Sequence, residues 1–222
     1  MQICMLARLG LMDYLRAWDV QKSIALRRGA GSLSDILVLV EHPHTYTMGR
    51  RGKISDVLLS ETTLNRMGIS VCYVDRGGEV TYHGPGQIVG YPIVDVRSLG
   101  GPVKYVRTLE SVLTRTLGDF GVEANRLENS PGVWVGEEKI AAIGVKIARG
   151  ITTHGFALNV NPDLAYFEGI VPCGVKDMRV TSIEKLLERP VRMDDVAMRV
   201  AYHFGVLFDR SMEEVSASHL IG

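Results

Sequence analysis

Cysteine is scarce: Cys4, Cys72 and Cys173 are the three in 222 residues, and no two of them form a CxxC pair. An odd, scattered set argues against a disulfide framework and against a structural zinc site built from cysteines. Net charge is missing as well, because 25 basic side chains balance 25 acidic ones. No global field therefore steers the chain onto a nucleic-acid backbone or an anionic membrane. Long apolar runs are absent too. None exceeds five residues, the length of Ile36 to Val40, against the roughly 20 that span a bilayer. The apolar patch at the N-terminus is broken by Arg8, Asp13 and Arg16, and no small-residue cleavage site follows it. The expectation is a cytoplasmic protein with reduced thiols, no nucleic-acid partner and no membrane span.

What is present is an alternation of helical and extended patterns from end to end, which predicts an α/β (α+β) fold in a single domain over 1–222. Residues 11–28 read as a helix with Leu11, Leu15, Trp18 and Ala25 on one stripe, followed by Gly29 and Gly31. The run from Asp35 to Val40 reads as a buried strand, and Ile69 to Val74 as another. Residues 102–119 form a second predicted helix, with Pro102 in its first turn and Val106, Leu109, Leu113 and Leu117 as its stripe. From 132 to 160 the pattern is extended, with a turn at Gly136 and a hinge near Gly150. Residues 192–208 read as a helix striped by Val196, Val200, Phe204, Leu207 and Phe208, within a C-terminal helical segment of about 181–222.

Glycine is abundant, 24 in 222, and four of these fall between Arg76 and Gln87 in RGGEVTYHGPGQ. Glycine permits positive φ and close backbone approach to a ligand; the same residues also suit a plain hairpin turn. Neither GxxxxGK[ST] nor GxGxxG occurs, so the segment is not a nucleotide phosphate loop. Arg76 and His83 are candidates to hold a polar head group or to orient a carbonyl. Cys173, between Pro172 and Gly174, is expected on a turn, where it is either a presented nucleophile or an inert buried thiol. Cys4 and Cys72 sit among apolar neighbours and are assigned to packing. Lys139 follows the turn at 136–138, as a solvated hairpin lysine would. Strand parity offers another reading, because positions 139, 141, 143, 145 and 147 share one face and read Lys, Ala, Ile, Val, Ile. A lysine opening an apolar face is partly desolvated and suited to exchange a proton with a thiol. His42 and His44 lack a third ligand at metal spacing, so no metal is assigned.

The run RGGEVTYHGPGQIVGYP at 76–92 resembles the signature of the octanoyltransferases of lipoate assembly, also called lipoate-protein ligase B. KIAAIG at 139–144, HGFALN at 154–159 and PCG at 172–174 carry the same resemblance in the same order. The resemblance implies a mixed β-sheet flanked by helices, similar to the catalytic fold of biotin and lipoate protein ligases. It also implies a Cys173–Lys139 dyad. Cys173 would take the octanoyl group from octanoyl-acyl carrier protein as a thioester, and Lys139 would activate the thiol and shuttle its proton. The acceptor would be a lysine of an apo lipoyl domain, such as those of 2-oxoacid dehydrogenase E2 subunits and the glycine cleavage H protein. By the same resemblance Arg76, Gly77, Gly78, Glu79, Val80, Thr81, Tyr82 and His83 surround the acyl chain and its carbonyl. So do Ala142, Ile143 and Gly144, and Gly155, Phe156 and Ala157, with His154 lining the pocket. Small residues there leave room for a straight alkyl chain. No cofactor is implied, and a monomer is expected. Val175 stands where the family commonly has isoleucine, and Lys146, where arginine is at least as common, receives no role.

Acyl carrier proteins are acidic as a family, so Arg50, Arg51 and Lys53, or Arg27 and Arg28, are the local candidates for a landing site. Three other readings compete. An ATP-dependent lipoate or biotin ligase would not need Cys173, and no segment like GRGRxGR is present. A non-catalytic module that binds acyl carriers or lipoyl domains would not need the dyad. A papain-like hydrolase would pair Cys173 with His154.

Overall fold

The computed structural model describes residues 2–128, 130–171 and 179–221. The chain opens with a strand, β1 (Gln2–Leu11), which leads to Asp13. The Asp13 carboxylate accepts from the Arg16 N–H at 3.0 Å and caps α1 (Tyr14–Gly29), so the helix starts three residues after the expected position. Its buried face also differs from the expected stripe. Tyr14, Ala17, Val20, Gln21 and Ile24 are buried, whereas Leu11 and Leu15 are exposed. The two stripes are neighbours on the helix surface, and the packing against the sheet selects the one led by Tyr14.

After α1 come β2 (Asp35–Glu41), β3 (Thr45–Met48), α2 (Glu61–Arg66), β4 (Ser70–Tyr73), β5 (Val80–His83) and β6 (Gln87–Ile93). Helix α3 (Pro102–Gly118) has Pro102 at its first turn, as the sequence predicts. Next are β7 (Asn125–Leu127), β8 (Ser130–Val135), β9 (Glu138–Ala148) and β10 (Ile151–Asn159). The chain closes with α4 (Ile183–Leu187), α5 (Met193–Phe208), β11 (Arg210–Glu214) and α6 (Ser218–Ile221). The C-terminal segment is thus not wholly helical.

Among the described residues the strands form two sheets. The larger has the order β11-β1-β2-β6-β10-β9-β8-β7 and the smaller β4-β3-β5. Strand β1 is parallel to both β2 and β11, and the pairs from β2 onward to β7 are antiparallel. This is a mixed α/β domain. The large sheet is covered on both faces, which explains why β2 reads as a continuous apolar run. Leu37 and Leu39 face a core shared with α3 and α5, while Ile36, Val38 and Val40 face a core shared with α1. No helix among the described residues is long and apolar enough to cross a membrane.

Strand β11 is polar and short, and no sequence pattern announces it. An ion network fixes it: Asp35, buried at the start of β2, accepts from Arg210 Nε at 2.9 Å and from Arg28 Nε at 2.8 Å. Arg28 is therefore committed to the fold rather than to a docking surface. Cys4, fully buried beside this network, has its thiol pushed up to about 12 by burial. Burial also raises the Cys72 thiol, so both cysteines are the inert packing residues that the sequence predicts. Asp35→Ala leaves the Arg210 cation buried without this carboxylate, and such losses cost about 3 kcal/mol or more. Urea unfolding should show that drop, and a midpoint equal to wild type would refute the role of the network.

Candidate active site

A cavity of about 730 Å³ lies between the large sheet and the segment 76–83, reaching from Tyr14 of α1 to Val106 of α3. Every described residue expected in the catalytic pair or around the acyl chain lines it: Arg76 to His83, Lys139, Ala142, Ile143, Gly144, His154, Gly155, Phe156 and Ala157. Cys173 and its neighbours at 172–178 lie outside the described residues. The chain on either side of them, Ile170–Val171 and Arg179–Thr181, is anchored near the site. Val171 N–H donates to Asp56 O, and Thr181 N–H to Lys139 O.

Lys139 reaches this cavity by a route that strand parity does not anticipate. Val133 opposes Ala141, but the next residue, Trp134, opposes Lys139, leaving Ile140 as the extra residue of a β-bulge. Ile140 and Ala141 are consecutive, yet both are buried in the core shared with α3 and α5. Lys139 is thereby turned to the opposite side, with Ala142 and Gly144. The expectation that it shares a face with Ala141, Ile143, Val145 and Ile147 is overturned. The lysine is only 7% exposed, and its Nζ lies 4.7 Å from the centre of the Trp134 ring, a favourable cation–π arrangement. Its main chain is held as well: its N–H donates to Arg179 O at 2.9 Å, and its carbonyl accepts from Thr181 N–H at 3.0 Å.

The glycines of the site serve backbone contact more than open space. A Cβ on Gly155 would sit 2.1 Å from Gly90 O, and one on Gly144 would sit 3.1 Å from Gly77 O. Gly155 thus brings β10 close to β6, and Gly144 lets the loop at 76–78 lie against β9. Arg76 fastens that loop. Its Nη2 donates to Thr47 O at 2.6 Å and to Glu79 O at 2.8 Å, and its Nη1 donates to Gly77 O.

His154 also departs from alternation. It has the parity of Phe156 and Leu158, which face the other core, but its φ is +56°. That left-handed conformation is costly for a residue with a side chain. Its N–H is held by Gln21 Oε1 at 2.7 Å, and its ring is turned toward α1. Asp75 accepts from His154 Nε2 at 2.8 Å, so Nδ1 of the neutral ring is left to accept from the Tyr14 hydroxyl at 3.3 Å. Burial raises the Asp75 carboxyl, but hydrogen bonds from Lys146 and His154 and the charge of Lys146 outweigh this and leave it below its ordinary value. Lys146, given no role from sequence, is the cation that pairs with Asp75.

His42 is set in the same way: Nδ1 donates to Met12 O at 2.7 Å, and Nε2 accepts from the Tyr91 hydroxyl at 2.7 Å. His44 bonds the Tyr82 hydroxyl and stacks on Tyr166. His83 differs, because it is 5% exposed and neither ring nitrogen has a hydrogen-bond partner among the described residues. It stacks on Tyr14 and meets His42 edge-on. Burial, with His42, Arg76 and His154 nearby, holds its basicity well below the ordinary histidine value. Tyr14, Asp75, Gln87, Tyr91, Trp134, Lys146 and Asn159 are site residues that the sequence reading passed over. Gln87, Tyr91 and Asn159 belong to the quoted motifs, and that was the available signal.

The lipoyl protein ligase A/B catalytic domain is the family whose pattern matches this chain, over residues 13–205. An octanoyltransferase of Solibacter usitatus is 49% identical over 213 residues, covering 96% of each chain. The chain belongs to the lipoyl protein ligase A/B family and, within it, to the octanoyltransferases. It is an acyltransferase of protein lipoylation. A lipoate-protein ligase A crystallised with ATP superposes with a TM-score of 0.80 at 17% identity, covering all of this chain and 91% of the other. A bipartite lipoate protein ligase from Thermoplasma acidophilum superposes at 0.76 with 18% identity, covering all of this chain and 89% of that one. At such identities the likeness shows the fold.

Burial lowers both His42 and His154 to about 4, with Met12 and Asp75 respectively opposing the shift. In the unfolded chain each histidine takes up its proton near pH 6.5. The stability from keeping them neutral is complete above pH 6.5 and is lost as pH falls from there toward 4. Each histidine contributes about 1.4 kcal/mol per pH unit across that window. Urea midpoints should fall steeply between pH 7 and pH 5, and a flat profile would contradict the buried neutral histidines.

Proposed function

We propose that the enzyme transfers an octanoyl group from octanoyl-acyl carrier protein to a lysine of a lipoyl domain through a thioester on Cys173. The observation that carries this reading is the bulge at Ile140. It turns a buried lysine into the cavity, beside the chain at 179–181 that returns from Cys173. In the first half-reaction Lys139 takes the thiol proton, the Cys173 thiolate attacks the donor thioester, and the carrier thiol leaves with that proton. In the second, the acceptor ε-amine attacks the enzyme thioester, giving an amide and restoring the Cys173 thiol. Exchange between thioesters is nearly isoenergetic and amide formation runs downhill, so neither step needs ATP. Seven carbons beyond the carbonyl, at about 0.8 kcal/mol each, supply roughly 5 kcal/mol of binding in the cavity.

The acceptor assignment draws support from the Thermoplasma ligase, which is described together with its E2 lipoyl domain. The donor assignment draws on Arg50, Arg51 and Lys53. All three are exposed, and Arg51 lines the cavity and pairs with Glu79 at 3.5 Å. An acidic carrier protein would meet this rim in the cytoplasm, with the enzyme acting as a monomer.

Incubation with octanoyl-acyl carrier protein without ATP should add one octanoyl group by intact mass, and Cys173→Ser should abolish the adduct. Transfer that requires ATP would favour a ligase instead. Lys139→Ala should slow acylation at neutral pH and recover in part at higher pH; an unchanged rate would remove Lys139 from the chemistry. Charge reversal at Arg50, Arg51 and Lys53 together should raise KM for the carrier with little change in kcat, and an unmoved KM would place the landing site elsewhere.

A further inference from the structure

Two carboxamides, neither on any of the chain's predicted site positions, are buried at the point where three segments of the site meet. Gln87 is 1% exposed and Asn159 4%, both line the cavity, and they face each other as the end pair of β6 and β10. Gln87 Oε1 accepts from Gly84 N–H at 3.1 Å, which fixes its amide orientation. Its Nε2 then donates to Asn159 Oδ1 at 2.9 Å and to Tyr82 O at 3.3 Å. Asn159 Nδ2 in turn donates to Thr181 O at 2.9 Å. Buried amides are tolerated only when so satisfied, and here, apart from the branch to Tyr82 O, the bonds run in one direction, from Gly84 through both side chains to Thr181.

The residue at the end of this relay is also pinned from its other side. Thr181 N–H donates to Lys139 O, and Lys139 N–H donates to Arg179 O. The chain that returns from Cys173 is thus held between the main chain of Lys139 and the side chain of Asn159. Gln87 joins the same relay to the corner that follows His83. We infer that Gln87 and Asn159 are positioning residues that set Lys139 and the chain from Cys173 in register. This inference rests on the proposed dyad.

Two substitutions alter single links while keeping size. Asn159→Asp retains the acceptor for Gln87 but faces Thr181 O with a carboxylate oxygen. Gln87→Glu retains the acceptor for Gly84 but removes both donors. Each should slow acyl-enzyme formation roughly 10- to 100-fold, as small misplacements of reacting groups do, with KM for octanoyl-acyl carrier protein little changed. Each should also move the pH profile of iodoacetamide alkylation at Cys173 upward, in the direction of Lys139→Ala. Wild-type acylation rates with unmoved alkylation profiles in both variants would overturn the inference, as would a loss confined to melting temperature. The alkylation profile needs no acyl donor. It therefore decides the positioning role even if wild type forms no octanoyl adduct, a result that would instead overturn the proposed transfer.

Discussion

A sheet buried on both faces sends alternate side chains to opposite cores, and this constraint governs the site. Lys139 and His154 both have the parity of the core under α3 and α5, where neither could act on a substrate. The cavity acquires them because alternation is broken twice: by the extra residue Ile140 in β9 and by the positive φ of His154 in β10. Both breaks occur where partners hold them. Trp134, Arg179 and Thr181 hold the lysine, and Gln21, Asp75 and Tyr14 hold the histidine. Bulges and strained residues of this kind gather at functional sites because only a rigid surround sustains them.

The surroundings of those two residues differ in kind. Toward Lys139 the cavity is lined by Trp134, Pro131 and Val106 together with Ser130, Glu137 and Arg179. Toward His154 it is lined by rings kept uncharged: Tyr14, raised to about 12 by burial, and the histidines, lowered by it. Among the described residues, His83 alone of these rings has nitrogens without a hydrogen-bond partner, whereas the outer residues Met12 and Asp75 fix the tautomers of its neighbours. Glycine does complementary work: Gly155 against Gly90 and Gly144 against Gly77 let backbone meet backbone, so the motif segments touch directly.

Much of this was legible beforehand. Helices α3 and α5 follow from their stripes, β2 from its apolar run, and the packing role of Cys4 and Cys72 from their apolar neighbours. Three segments far apart in sequence were read as one site from motif resemblance, and their described residues do line one cavity. The readings that failed are those that needed a partner distant in sequence. The stripe of α1 was placed one row away, because two apolar rows are available and only the sheet selects between them. Strand β11 is polar and is recruited by Arg210 bonding Asp35 across 175 positions. Lys146 had no visible role because Asp75, its partner, lies 71 residues earlier. Arg28 looked like a docking charge until Asp35 was found to hold it.

Sequence alone determined the family, the fold class and the set of motif residues, because local periodicity and motif order are properties of the chain itself. Tertiary structure decided which way those residues point. The bulge at Ile140 requires β8 to pair with two different registers of β9, and the inversion at His154 requires α1 to supply Gln21 and Tyr14. Neither condition is local. A side chain's face, protonation and partners are settled by what is packed against it, so the lysine of the site was legible as a residue and became a cavity group only in the folded protein.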